Sequence, residues 1–135
     1  MDYKLELIVV PATDVDRSKQ FYVHEAGFEE LVDVSPGGKF RVVQLSPKGS
    51  ACAIALMHVP ERAGQVQGLH LVVEDVVAAR AELVGRGMRP SEPFHFAEGV
   101  QTEGLDPQRN SYQSFFQFAD PDGNLWLVQE VKRRG

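Results

Sequence analysis

The side chains of this sequence with the most chemical capability are few and scattered. There are four histidines, at positions 24, 58, 70 and 95, and a single cysteine at 52. Cys52 lies in the apolar run "ACAIALM", where a thiol is packed away and inert rather than activated as a nucleophile. His24 and His58 read as surface or strand-end residues, and His95 sits between two phenylalanines in "FHF". Asp106, Arg109 and Tyr112 belong to a turn-rich stretch from which they could act as a lid, or simply shape a turn. Arg41 and Gln44 have opposite parity on one predicted strand, so at most one of them faces a given side. Asp120 and Asp122 fall in "DPDGN", a turn that sets the final strand, and their role reads as structural. No general base and nucleophile stand at a recognisable spacing. The strand after that turn has Leu125, Trp126, Leu127 and Val128 at its centre, with no carboxylate among them; Glu130 follows at its end and reads as frayed.

Composition narrows the class. A chain of 135 residues with 43% hydrophobic and 24% charged residues is of the size and make-up of one soluble globular domain. The net charge of −5 argues against a nucleic-acid partner, which would need a basic face. The basic run "KRR" at 132–134 reads as a solvated tail. One cysteine cannot make an intrachain disulfide. No apolar stretch approaches a membrane span, and "MDYKLELIVV" lacks the marks of a signal peptide, so the expectation is a cytoplasmic protein with no membrane partner.

The elements that must position these residues repeat. "LELIVV" (5–10) predicts a strand, and "PATDVDRSKQFYVHEAGF" a helix capped by Thr13 or Asp14, with Val15, Ser18, Phe21, Tyr22 and Ala26 at helical spacing. Three strands follow at 28–34, 39–46 and 51–59, separated by turn residues. After a linker at 60–67, a strand at 68–74 precedes a helix opened by Asp75 and burying Val76, Ala79, Leu83 and Val84. Strands at 88–96, 111–119 and 124–131 complete the second half. The two halves, about 1–59 and 68–131, thus share the order strand, helix, strand, strand, strand. Residues 97–110 show no period and read as a lid, a binding loop or a mobile segment.

Two such halves, with "DVDRSKQFY" opening one helix, "HLVVEDVVAARAEL" opening the second half and "FADPDGN" before the last strand, resemble the vicinal oxygen chelate superfamily of glyoxalases, extradiol dioxygenases and bleomycin-resistance proteins. The resemblance implies a single α+β domain, residues 1–135. In it two βαβββ modules form a cupped, mostly antiparallel, barrel-like sheet around one central cavity, with the helices outside. Some members instead pair halves from two chains. Metal-using members hold one divalent ion with His, Gln or Glu on the first and last strands of each half. The matching positions here are Leu7, Ala55, Gly68 and Leu127, none of which can ligate a metal, so neither metal nor other cofactor is expected.

The resemblance also sets which strand residues face inward. They are Leu5, Leu7 and Val9; Ala53, Ala55 and Met57; Gly68, His70 and Val72; and Leu125, Leu127 and Gln129. Leu7, Val9, Ala55, Met57, Gly68, His70, Leu127 and Gln129 are therefore the candidate ligand-binding residues. They describe an apolar cavity with His70 and Gln129 as its polar points, suited to a small organic molecule oriented by few hydrogen bonds. His70 either contacts ligand, moves a proton, or is satisfied by a neighbouring carbonyl. The first expectation is a metal-free binding protein of the bleomycin-resistance type, acting as a homodimer. The alternative is an enzyme (lyase, isomerase or dioxygenase type), either metal-independent through His70 or metal-dependent through ligands such as His70, His95 and Glu92 or Glu98. A scaffold with a vestigial cavity is the third.

Overall fold

Two aspartates decide where the helices begin. In the computed structural model of the protein, which describes residues 1–38 and 40–132, the Asp14 carboxylate accepts the Arg17 amide at 3.1 Å and opens α1 (Val15–Gln20). Asp75 accepts the amides of Val77 and Ala78 at 3.0 and 3.1 Å and opens α2 (Val76–Gly85). Both satisfy donors that a first helical turn leaves without an intrahelical partner. Thr13, the other cap candidate, instead donates its hydroxyl to Asp122 at 2.6 Å. α1 runs straight into a π-helical turn, Phe21–Glu25. Lys39, where the third strand was expected to begin, and Arg133 and Arg134 of the basic run lie outside the described residues.

The chain forms two compact units, one of Met1–Val66 with Asp120–Asn124 and the other of Gln67–Ala119 with the chain from Leu125 on. The first unit carries a sheet of β1 (Leu7–Ala12), β2 (Glu29–Val34), β3 (Val42–Ser46) and β4 (Ala53–His58) in the order β1-β4-β3-β2. β1 and β4 are parallel and the other pairs antiparallel. Val10, Leu56 and Val43 stand opposite one another and are fully buried. α1 lies over this face, because its Lys19 donates at 2.6 Å to Asp33, the partner of Val43 on β2.

The second unit carries β5 (Leu69–Val73), β6 (Phe94–Ala97), β7 (Val100–Glu103), β8 (Ser114–Ala119) and β9 (Leu125–Glu130) in the order β5-β9-β8-β6-β7, with β5 parallel to β9. Its covered face presents Leu69, Trp126 and Phe118 in one row, and the Trp126 and Phe118 rings stack at 5.9 Å. α2 joins this face through Val76, which is fully buried. Val84, expected in the helix core, is 47% exposed, whereas Ala79 and Leu83 are half-buried. Both modules are α+β units with a mixed sheet and one α-helix, and the second has one strand more than predicted. That strand, β7, comes from the stretch read as a loop. Glu98 and Gly99, at φ 53° and 79°, form a two-residue turn that folds β7 back on β6.

The "DPDGN" turn belongs to the first unit, although its sequence neighbours lie in the second. Asp120 accepts the Tyr22 hydroxyl at 2.7 Å and the Asn124 side-chain amide at 2.8 Å. Asp122 accepts the Thr13 amide at 3.2 Å and the Arg17 guanidinium at 3.3 Å. These buried, fully used carboxylates fit the structural role read for the turn. No helix among the described residues is long and apolar enough to cross a membrane.

Candidate functional site

Alternation along β5 and β9 sends one set of side chains under α2 and leaves the other set on the opposite face. On β9, Trp126, Val128 and Glu130 are buried, whereas Leu125, Leu127 and Gln129 are half-buried. His70 on β5 stands opposite Leu127, and Val72 opposite Gln129. The row continues from Gln129 to Phe115 on β8 and from Phe115 to Phe94 on β6. This open face of the second sheet therefore carries one histidine, one glutamine and an aromatic cluster. Phe94 and Phe115 stack with ring centres 5.6 Å apart, and Phe96 meets both edge-on at 6.0 and 5.6 Å. Phe96 is 45% exposed and Val72 44%, so aromatic and aliphatic surface is available for contact.

His70 is exposed and its side chain makes no hydrogen bond among the described residues. Gln129 donates its amide to the Tyr112 carbonyl at 3.1 Å. Gly68 lies just before β5 with φ 86°, so it contributes a left-handed backbone step into the strand. A larger residue there would strain the backbone whatever space it met.

In the first unit, the face turned from α1 carries Val9, Ala55 and Gln44 in one row, with Leu7 opposite Ala53 and Met57 opposite Pro11. The register resolves the Arg41–Gln44 ambiguity. Gln44 is on the open face, while Arg41 pairs with Asp33 at 2.8 Å and with Asp16.

Several of the remaining candidates have structural partners. The His95 Nδ1 is 2.7 Å from the Gly104 carbonyl oxygen, and Asp106 accepts the Asn110 amide at 2.8 Å. Glu92 meets Arg80 at 3.2 Å, Glu98 shapes the β6–β7 turn, and Tyr112, His24 and His58 are exposed. Cys52 is half-exposed, its thiol 3.6 Å from the Ala53 carbonyl oxygen. At the four positions where the resemblance would place metal ligands, Leu7, Ala55, Gly68 and Leu127 offer no donor atom. Among the described residues no three His, Cys, Asp or Glu side chains gather where they could hold a metal ion. The residues present do not fit the superfamily's metal.

Glu130 is the residue that sequence reasoning undervalued. It is fully buried, and its two oxygens receive the Arg109 guanidinium at 2.9 and 2.5 Å and the Val76 amide at 2.9 Å. The Arg109 hydrogen bonds hold its carboxyl below the usual range, outweighing burial, with the Val76 amide adding to the effect. Arg109 (φ 51°) and Tyr112 (φ 73°) both take left-handed backbone. The Tyr112 amide bonds the Glu130 carbonyl at 2.8 Å, so the segment before β8 is tied to β9 at several points. The only hint in the sequence was the period of β9 itself, which puts Glu130 beside Trp126 and Val128.

A model of the glyoxalase/bleomycin resistance protein/dioxygenase superfamily matches residues 4–128. The crystal structure of TnmS3, described as an antibiotic binding protein from Streptomyces sp. CB03234, is 30% identical; the match covers 97% of this chain and 98% of that one, with a TM-score of 0.72. A glyoxalase/bleomycin resistance protein from the same strain is 29% identical over 94% of this chain and all of its own, with a TM-score of 0.69. YetH, an uncharacterized protein of Bacillus subtilis, is 24% identical over 91% of this chain and 94% of its own.

Proposed function

Because the chain belongs to the glyoxalase/bleomycin resistance protein/dioxygenase superfamily, we propose that it captures a small, largely apolar organic molecule, with His70 as the main directional contact. The observation that carries this reading is the open face of the second sheet, where Phe94, Phe96 and Phe115 adjoin the row of His70 and Leu127 and the row of Val72 and Gln129. Burial of apolar and aromatic surface supplies most of the affinity, at roughly 25 cal/mol per Å². The unpartnered imidazole selects ligands bearing a hydroxyl, carbonyl or carboxylate. Leu7, Val9, Ala55 and Met57 give the first sheet a face of the same apolar character. The antibiotic binding described for TnmS3 supports the same class of ligand.

The test uses a hydroxynaphthalene and its methyl ether, with binding followed by fluorescence titration. His70→Ala should weaken the hydroxyl probe about tenfold while changing the ether little. Phe96→Ala should weaken both by a few-fold, since an aromatic contact contributes about 0.5–1.5 kcal/mol. Equal binding by wild type and both variants would remove the open face as the site.

A second reading is favoured by the same free imidazole: a metal-independent enzyme with His70 as general acid or base. It is separated from capture by product analysis, since a capture protein returns its ligand unchanged. We further propose a homodimer. β1 is a sheet edge, and Tyr3, Leu5 and Val9 on or leading into it are 90%, 70% and 49% exposed. Unpaired edges with apolar side chains are surfaces that a second copy covers.

A further inference from the structure

We propose a separate anion-selective pocket in the first unit, where Arg62 binds the carboxylate of a small acid whose apolar body rests on Val9, Pro11, Val59 and Val66. A groove of about 240 Å³ lies between the β1 strand and the turn at 59–66, lined by these four residues with Arg62 and Gln65. Its lining is aliphatic apart from Gln65 and Arg62, and Arg62 is its one cation. Arg17, Arg41, Arg80, Arg86 and Arg109 each face a carboxylate within the chain. Arg62, like Arg89, meets none among the described residues and is exposed, but of the two only Arg62 lines this groove. In a chain of net charge −5, an arginine left unneutralised beside an apolar groove is charge-complementary to a ligand acid, which a guanidinium binds through paired hydrogen bonds.

The groove is built rather than incidental. Asn124, fully buried, donates to the Pro11 carbonyl at 3.0 Å and accepts the amides of Gly64 and Val66 at 3.0 and 3.1 Å. One side chain thus fixes both walls. Gly64 has φ 84°, and a Cβ on it would lie 2.3 Å from the Asp122 carbonyl oxygen, so the turn closes only with glycine there. Gln65 is anchored by donating its side-chain amide to the Glu61 carbonyl at 3.1 Å. The volume lies below the range of about 300–1,000 Å³ usual for drug-sized ligands, which points to a single ring or short chain. The pocket shares Val9 with the apolar face of the first sheet but does not depend on His70.

The test is titration of the protein with benzoate, followed by backbone amide NMR shifts, with benzamide and acetate as controls. Benzoate should shift Val9, Arg62, Gln65 and Val66, and benzamide and acetate should bind more weakly, each lacking half of the recognition. Arg62→Gln should lower benzoate affinity, read at these amides, about tenfold, Arg62→Lys less, and His70→Ala should leave the shifts at these amides unchanged, whatever benzoate does at the His70 face. Arg62 is exposed and unpaired, so both variants should fold as the wild type. If Arg62→Gln binds benzoate as well as wild type, or if His70→Ala abolishes the shifts, the pocket is refuted. The second outcome would at the same time favour the His70 face as the acid's site.

Discussion

At the scale of single residues, the molecule is defined as much by its carboxylates as by its free imidazole. Glu130 is ionised under Trp126 and Val128 only because Arg109 and the Val76 amide neutralise it. Removing Arg109 leaves a buried charge. Arg109→Ala is therefore expected to cost about 3 kcal/mol at neutral pH, the low end for a broken buried pair because the guanidinium is 33% exposed. The pH dependence has a definite sign. A carboxyl held below its ordinary value of about 4.5 contributes stability that is complete above that value and fades as pH falls through the folded one. Urea melts should accordingly show the gap between wild type and Arg109→Ala closing as pH falls through the lowered folded-state value of the wild-type carboxyl, below which both carboxyls are protonated; a constant gap would mean that Arg109 acts through packing. The sequence could not reveal this pair, because Glu130 and Arg109 gain meaning only once an irregular segment is laid against β9. His70 and Gln129 were legible as one face because alternation needs only the strand and its starting turn.

The elements repeat this division between local and distant causes. Asp14 and Asp75 announce both helices, and turn residues separate most strands, so the order of elements was readable. The hairpin of β6 and β7 was not. Its turn is Glu98-Gly99, lacking the Asn-Gly or Asp-Gly signal, and Val100 and Thr102 alternate too briefly to outweigh the polar residues around them. Phe94 and Phe96 are visible as "FHF", but Phe115 becomes their neighbour only through sheet register. The turn also carries a correctable strain. Glu98 takes a φ of 53°, which asparagine tolerates better, so Glu98→Asn should raise stability by up to about 1 kcal/mol. A thermal melt showing no gain or a loss would mean that Glu98 makes a compensating contact.

For the whole molecule, the proposed homodimer predicts sedimentation at micromolar concentration well above the 15.0 kDa monomer, and an exclusively monomeric species would refute it. A charge placed on the exposed approach to β1, as in Leu5→Glu, should shift the equilibrium toward monomer. The unit that holds β1 has a further property. Its sheet comes from the first 66 residues, but the turn that pins Tyr22, Thr13, Pro11 and Gly64 arrives with residues 120–124. On a ribosome, the N-terminal sheet would wait with those partners unmade until residues 120–124 had been translated. Domain-by-domain maturation, the usual course when each unit is contiguous, is closed to it. A nonsense codon anywhere before Asp120 would then spoil both units at once, and translation pauses in the second half would prolong the exposure of the first.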